Sequence, residues 1–567
     1  LGRHGENWSS TSRKPGFKVG GFGKSVILRL RKFGYSRGNF DKLIMRKILF
    51  PVLVILLAFT LRVFRLDFQS MWWDEIATVF RAGIPFQEML GNLLVIRNHM
   101  PLYFVVLQGW GHLGLSEFVI RYFSVLAAII GLAILYTLGK SIAGRQTGLI
   151  ALLLLTISPF HIWFSQEARM YTLMTTLILA AHWCLFVIFR QEKASRWWWF
   201  GYTVLMITAV YTHYFAVLLL LAHYIFFTLH YRHRPELFKR WLVSGIIVGA
   251  LFALWFLGMV TTGGYANAPI SWIKPVRFHD PLLTLLSFAA GPTLDLSKPG
   301  GYIVLGFYLF TIFVVFWAIA RRPWPIESTQ NQFLSMSARL LLLWLFVPML
   351  IIFVISLDWP FEQARSIYMD RYLIISLPAM TLLGAWGIVY VAGQTKKRGF
   401  VILVIALVCL ATLPSLLNVY GNGRYARTDW RQAFKLLEIH WQPDDLLLLN
   451  ASHTLPYYYY ASDDSLTMLQ LPIIDIKSDS AEMDWNSFGK AFLDEVQTNG
   501  TVWFIESFAN GDTHGFPHTR NAAQINDVDH EAHLKWLADH CQLSEELNVT
   551  GIRLISYDLS ICAEIGE

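Results

Sequence analysis

Apolar stretches long enough to cross a bilayer recur along this chain. A crossing helix needs about 20 mainly apolar residues to traverse roughly 30 Å of hydrocarbon. Segments of that character follow one another from Ile48 to about Leu417, separated by short polar stretches. Beyond about Tyr420 the pattern changes. Trp430 to Glu438 has helical spacing, and Asp445-Leu-Leu-Leu-Leu-Asn450 reads as a buried strand. Thr501-Val-Trp-Phe-Ile505 and Gly551-Ile-Arg-Leu-Ile-Ser-Tyr557 read as further strands. The expected architecture is a polytopic α-helical membrane protein with a C-terminal α/β domain. Its parts are a basic arm at 1–45, a transmembrane domain at 46–420 and a soluble domain at 421–567.

Lys and Arg positions decide which way the helices run. Twelve of these residues precede position 48, and such a cluster marks the cytoplasmic side and contacts anionic lipid. With the arm inside, the first span runs from about Ile48 to Leu61 and emerges near Arg65. The next apolar stretch, Pro101 to Leu115, is short and interrupted by Gln108, Gly109, Gly111, His112 and Gly114. It reads as a helix lying in the interface rather than crossing. The later cations then fall inside: Lys140 and Arg145, Arg190 to Arg196, Arg232 to Arg240, Arg321 with Arg322, and Lys396 to Arg398. Eleven spans result, in the cytoplasmic membrane, and the C-terminal domain lies on the extracytoplasmic side. The arm is too long, and too poorly followed by small residues, for a cleavable signal peptide. Met45 is an alternative start that would leave the arm out.

Composition narrows the function classes. The chain is 55% hydrophobic and 15% charged, with a mean hydropathy of +0.44, whereas soluble domains carry about 25% charged residues. Disordered, collagen-like and disulfide-scaffold proteins are excluded. The net charge of +8 lies in the arm and inner loops without any nucleic-acid motif, so membrane lipid is the expected partner and nucleic acid is not. There is no GxGxxG, no P-loop and no internal repeat. Cys184 and Cys409 fall in spans as small hydrophobes. Cys541 and Cys562 can pair if the soluble domain faces an oxidising compartment, or stay free.

Four polar regions share the outer face: 65–99, 158–169, 261–300 and 358–371. They carry Asp74, Glu75, His99, Glu167, Arg169, Lys274, Arg277, Asp370 and Arg371. Ionisable groups converging from separate loops over a helical bundle point to a functional site. Glu167 and Tyr171 stand four apart, which on a helix puts them on one face. Asp74 could equally be a solvated acid capping a helix that starts near Ile76. Either Arg could pair with Glu167 or Asp370 and simply lock helices. Tyr457 to Tyr460 can stack on sugars, pack a core or sit in a membrane belt. His161, His213 and His279 lie near the outer face, but no zinc-like spacing links them.

The motifs in these loops are Phe68-Gln-Ser-Met-Trp-Trp-Asp-Glu-Ile-Ala-Thr78, Asn98-His-Met-Pro-Leu-Tyr-Phe104, Ser165-Gln-Glu-Ala-Arg-Met-Tyr171 and Tyr368-Met-Asp-Arg-Tyr372. In that order and on one face, the chain resembles GT-C integral-membrane glycosyltransferases. It is similar to the family of protein O-mannosyltransferases and lipid A aminoarabinose transferases (glycosyltransferase family 39). The resemblance covers about 45–420. It implies an inverting transfer of a monosaccharide from a polyprenyl-phosphate donor to a lipid, glycan or protein hydroxyl. By matching position, Asp74 is the catalytic acid residue, with Glu75 beside it. Substrate-binding residues would be His99, Tyr103, Glu167, Arg169, Tyr171, Lys274, Arg277 and Arg371, the cations serving the phosphate.

The chain departs from the aminoarabinose transferases at His99-Met-Pro, where they have a Lys before two prolines. An imidazole there can still donate to a phosphate. Some relatives hold a divalent metal with a carboxylate and a His; here no obligatory metal or other cofactor is expected. Two other readings stand beside the transferase: a transporter or flippase of lipid-linked sugars, which calls for polar groups near the membrane midplane, and a catalytically silent subunit of a membrane assembly.

Overall fold

The computed structural model describes residues 37–96, 99–191, 195–231, 234–262, 273, 275–294, 301–309, 313, 329–357, 366–395, 398–449, 454–461, 466, 468–470, 500–507 and 537–559. Residues up to Val54 form one compact unit and Ile55–Glu567 a second. Most of the basic arm lies outside the described residues, as do Lys274 and Cys562. The loop motifs, most of the helical bundle and the C-terminal sheet all belong to the second unit.

Helix α1 (Arg37–Val63) is followed by two short helices, α2 (Trp73–Gly83) and α3 (Phe86–Ile96), and then by α4 (Leu102–Gly111). At 10 residues and about 1.5 Å rise per residue, α4 is too short to cross, as expected for an interfacial helix. Gly114, at a φ of 135° that a side chain would resist, ends the connection behind it. The bundle continues with α5 (Glu117–Ala143), α6 (Arg145–Thr156), α7 (Pro159–Ser165), α8 (Tyr171–Arg190), α9 (Arg196–Thr212), α10 (Leu218–Tyr231) and α11 (Pro235–Thr261). Then come α12 (Asp280–Ala290), α13 (Thr329–Ile355), α14 (Leu377–Thr395) and α15 (Arg398–Gly421).

Among the described residues seven helical segments are long and apolar enough to cross a membrane, or eight if the bent pair α6 and α7 is one span. Eleven were expected over the whole chain, part of which lies outside the described residues. Of the expected spans outside the seven, the apolar part of α1 covers Ile48–Val63, α9 has 17 residues, and the stretch after residue 300 lies largely outside the described residues. The 62° bend between α6 and α7 has a plain cause. Pro159 cannot continue a helix but suits the start of one, and Ser158 caps α7 by accepting from the His161 N–H.

Burial sorts the spans. In α8 and in Tyr372–Gln394, 67% and 72% of the apolar window is buried, against 17% in α11 and 22% in Gly399–Gly421. The first two are central; the last two present Ile246, Leu254, Leu257, Ile402 and Leu410 outward, as lipid-facing helices do. Close crossings use glycine: a Cβ at Gly148 on α6 would come within 2.6 Å of the Tyr136 carbonyl oxygen on α5.

Among the described residues the C-terminal part of the chain forms a five-stranded mixed sheet in the order β2-β1-β3-β5-β4. β1 (Leu446–Leu449) lies parallel to β2 (Met468–Gln470) and β3 (Thr501–Ser507). β5 (Ile552–Asp558) runs antiparallel to β3 and to the edge strand β4 (Gln542–Val549). All four leucines of β1 are buried, as expected for a strand covered on both faces. Helix α16 (Trp430–His440) buries Trp430, Ala433, Phe434 and Leu437 on one stripe and meets the short helix α17 (Thr454–Tyr460) through Phe434 and Tyr457. The aromatic run 457–460 is therefore helical. Three of its hydroxyls find protein partners: Tyr457 donates to the Leu466 carbonyl, Tyr459 to the Leu115 carbonyl, and Tyr460 to Glu117 while accepting from the Met71 N–H. Cys541 is disulfide-bonded, and Cys184 and Cys409 are free thiols.

Candidate active site

The first loop begins where α1 ends, with Arg65 in the left-handed region at φ 57°, and turns into α2 at Trp72. Asp74 and Glu75 occupy the first helical turn, where the free N–H groups favour acids. Adjacent in sequence, they meet different surroundings. Glu75 is fully buried and Asp74 keeps 23% of its side chain exposed.

Glu75 is saturated. Its Oε1 accepts from Arg121 Nε at 2.9 Å and from the Ala168 N–H at 2.7 Å. Its Oε2 accepts from Arg121 Nη2 at 2.7 Å, Arg427 Nη1 at 2.8 Å and the Trp72 N–H at 3.4 Å. Burial would raise its pKa, but the charges of Arg121 and Arg427 and the hydrogen bonds overcome this and hold it at about 2. So acidic and so enclosed a carboxylate is a poor base; it is the cap and anchor of the loop. The capping role expected as an alternative for Asp74 falls to its neighbour.

Asp74 instead faces cations and keeps part of its side chain exposed. Its Oδ2 lies 3.5 Å from Arg169 Nη2 and 4.0 Å from Arg371 Nη1. Arg169 also donates to the Asp74 carbonyl at 3.3 Å and to Thr78 Oγ1 at 3.1 Å. Burial, the largest influence, works against its charge, but Asp74 together with the smaller pulls of Tyr171 and Tyr103 outweighs it, and its pKa is raised. Arg371 stands 5.6 Å from the Trp72 ring centre. Asp370, next to it, accepts from Ser287 at 2.8 Å, and burial pushes its pKa up to about 6. Arg371 thus faces Asp74 as well as acting on Asp370, the partner weighed from sequence. Arg81, on α2, adds a third cation beside Asp74 and Arg169. One carboxylate among three guanidinium groups leaves this cluster with an excess of positive charge. Around it, the buried polar atoms Trp72 Nε1, Tyr171 Oη and Arg169 Nε have no partner among the described residues.

His99 and Tyr103 reach the same region. His99 is half-buried 5.5 Å from Phe104. Burial, then repulsion from Arg169, Arg81, His213 and Arg371, keeps its pKa well below the ordinary value, so it is a neutral imidazole able to donate one hydrogen bond. Tyr103 is buried on α4 with its ring 6.1 Å from Phe123. Tyr171 is buried against Phe164. Glu167 sits in the turn before α8, not on the helix with Tyr171, which corrects the one-face expectation. It accepts from Arg427 Nη2 at 3.1 Å, and its Oε2 is buried without a partner among the described residues. Burial raises its pKa to about 7, against the pull of Arg427.

Two expectations fare differently. Lys274 lies outside the described residues. Arg277 is exposed at the start of α12, where its N–H donates to Asp280 at 2.7 Å, and it is not among the residues that meet at Asp74. Among the described residues no three His, Cys, Asp or Glu gather. His161 is taken up by Arg62 at 2.8 Å, and His279 is 55% exposed. Sequence reasoning missed Arg121 and Arg427. Arg121 carried a signal, a cation one turn inside an apolar span; Arg427, in a polar linker, carried none.

Residues 98–257 match the family model described as dolichyl-phosphate-mannose-protein mannosyltransferase. No curated protein sequence matches the chain. Among solved structures, the chain is similar to ArnT from Cupriavidus metallidurans bound to undecaprenyl phosphate. The TM-score is 0.52 at 14% identity, covering 91% of this chain and 98% of that one. An oligosaccharyltransferase from Archaeoglobus fulgidus gives a TM-score of 0.48 at 10% identity, covering 90% and 74%. The arabinofuranosyltransferase AftD from Mycobacteria gives 0.48 at 14%, covering 92% and 40%. The resemblance to GT-C membrane glycosyltransferases is borne out by the family match and the ArnT-like fold.

Proposed function

We propose that this chain is an inverting glycosyltransferase that moves a monosaccharide from a polyprenyl-phosphate donor to a hydroxyl of a lipid, glycan or protein at the outer face of the cytoplasmic membrane. The observation that carries the reading is the partly exposed Asp74 carboxylate set among Arg169, Arg371 and Arg81 at the loop end of the bundle. The ArnT structure holds undecaprenyl phosphate, and a lipid phosphate is what such a cluster of cations suits. The cystine at Cys541 accords with an oxidising, extracytoplasmic side.

In this reading the acceptor oxygen attacks C1 of the sugar as the bond from C1 to the phosphate oxygen breaks. Asp74 takes the acceptor proton. The leaving phosphate needs no protonation, because the guanidinium groups of Arg169 and Arg371 receive its growing charge. Neutral His99 donates a further hydrogen bond. The carboxylates here are engaged by guanidinium groups and not grouped with histidines, so the described residues do not fit a divalent metal and no step is routed through one.

A flippase would need polar groups it can present at the midplane. The bundle does bury one such network: Tyr202 donates to His223 Nδ1 at 2.8 Å, and His223 and His182 share a bond at 3.1 Å between their Nε2 atoms. His182 Nδ1 reaches the Ile178 carbonyl at 2.9 Å, and its ring stacks on Trp344 at 3.5 Å. Every polar atom of this network is satisfied within it, which favours a helix tie over a path.

Mass spectrometry of envelope glycolipids and glycoproteins from a deletion strain, beside its parent, tests the reading. A missing sugar residue names the product, and an unchanged glycome sinks the transferase. Purified protein should also bind undecaprenyl phosphate, and Arg371→Met should weaken binding by about 10- to 100-fold, the worth of a charged hydrogen bond.

A further inference from the structure

The C-terminal domain reaches into the site through one side chain. Arg427, in the linker between α15 and α16, spans two buried carboxylates: Nη1 holds Glu75 at 2.8 Å and Nη2 holds Glu167 at 3.1 Å. Its own N–H donates to Gln69 at 3.2 Å, and its guanidinium lies 5.5 Å from the Trp163 ring centre. The linker is fastened on both sides. Ser70 donates to the Thr428 carbonyl at 2.7 Å, and Arg431 pairs with Glu117 and donates to the Asp67 carbonyl at 2.9 Å.

The two carboxylates stand at informative places. Glu75 follows Asp74 in the chain, and its Oε1 accepts from Ala168, the residue before Arg169. The Glu75 carboxylate is therefore a pin on which the backbone of the base and the backbone of its facing cation are both hung. Glu167, one residue further back, is the second anchor of the same turn. Arg427 closes the brace between them. We propose that Arg427 is a positioning residue of the transferase site: contributed by the soluble domain's linker, it sets the distance between Asp74 and Arg169 without touching substrate.

A tie that only fastened the domain down would more naturally engage exposed carboxylates at the rim. Here the guanidinium is 9% exposed and the carboxylates are buried, one in each of the two segments that carry the reacting groups. Electrostatics adds support. Arg427 is the cation bonded to Glu167, whose pKa stands near 7; Glu75, Arg371 and Arg169 also face it, Arg121 acts from α5 and Tyr103 from α4. Loss of Arg427 would leave Glu167 neutral to a higher pH and free the turn bearing Arg169.

The inference rests on the transferase reading and is tested on the full chain in detergent. Affinity for undecaprenyl phosphate is measured from pH 5.5 to 9, with the thermal midpoint, for wild type, Arg427→Met, Arg427→Lys, Glu167→Gln and Arg371→Met. The lipid phosphate's own ionisation is common to all five proteins and cancels in their ratios. Arg427→Met should weaken binding about tenfold, in the range of coupled neighbours, and should move the Glu167-linked step in the pH profile upward. Arg427→Lys should recover most of the affinity, and Glu167→Gln should remove the step. Unchanged affinity and profile in Arg427→Met overturns the proposal. So does a lowered thermal midpoint with the pH step left in place, since that is a domain tie and nothing more. Either result, with Arg371→Met still impaired, leaves the transferase reading standing; a wild type that binds no undecaprenyl phosphate removes both.

Discussion

Replacing Asp74 with Asn should move chemistry and donor binding in opposite directions. Asn keeps the shape and the ability to sit in a first helical turn, so the loop anchored by Glu75 stays in place. What is lost is one negative charge and one proton acceptor. General base catalysis is worth about 10²- to 10⁴-fold, or about 2.7–5.4 kcal/mol of barrier, and transfer should fall by that order. Binding responds to charge. A phosphate sharing Arg169 and Arg371 with Asp74, which lies 3.5 and 4.0 Å from them, would sit roughly 6 Å from its carboxylate. At an effective dielectric of about 20 their repulsion is about 3 kcal/mol. Asp74 is 23% exposed, and solvent and salt leave roughly half of that. Asp74→Asn should therefore bind undecaprenyl phosphate about tenfold more tightly. Transfer is read by mass spectrometry as restoration of the missing sugar in a deletion strain carrying the variant; binding is read by titration of the purified protein. A helix cap or a structural ion pair would give weaker binding or no change. Near wild-type transfer with unchanged affinity would refute the assignment and return the base to another group.

Three further outcomes are expected. Glu167 has its pKa raised to about 7 from an ordinary 4.5. The folded state thus holds a proton that the unfolded chain releases, and the charged form costs stability fully above pH 7 and not at all below about pH 4.5. Glu167→Gln should raise the thermal midpoint at pH 8 and leave it unchanged at pH 4.5; an equal gain at both would contradict the burial argument. For sidedness, Cys introduced at exposed Lys435 should react with an impermeant thiol reagent from outside, and Cys at exposed Lys140 or Arg196 should not; the reverse pattern would take the site off the outer face. His223→Leu strips partners from Tyr202 and His182 and should cost about 1 kcal/mol of stability, with undecaprenyl phosphate affinity unchanged; lost affinity would mean that the network communicates with the site.

The sequence showed most of what periodicity can encode. β1, β3, β5 and α16 lie where their spacing places them, because each buries a regular stripe or run. β4 was missed: Gln-Leu-Ser-Glu-Glu-Leu-Asn-Val is an edge strand, half exposed, whose pairing with β5 supplies an order that its own residues do not advertise. Span limits are harder to read, because hydropathy marks an apolar run without marking where its helix starts: the apolar part of α1 covers Ile48–Val63 within a helix that runs from Arg37. The loop motifs marked Asp74, Arg169 and Arg371 correctly as neighbours, and the family resemblance put Asp74 before Glu75, but without a physical reason for the difference.

That separation comes from partners far away in the chain. Arg121 and Arg427 stand 46 and 352 residues from Glu75, and neither carries a motif. Because a buried carboxylate persists as an ion only with cations and N–H groups around it, two adjacent acids in one turn cannot both be satisfied by the same few groups. One is consumed in holding the loop, and the other is left facing the cluster with its charge only partly answered. The cluster's excess of guanidinium groups follows from the same division. Since Arg169 and Arg371 lean on a carboxylate at 3.5 and 4.0 Å and not in tight bidentate contact, both can turn to an incoming phosphate without leaving a buried ion unpaired, and the carboxylate they release is then free to take a proton.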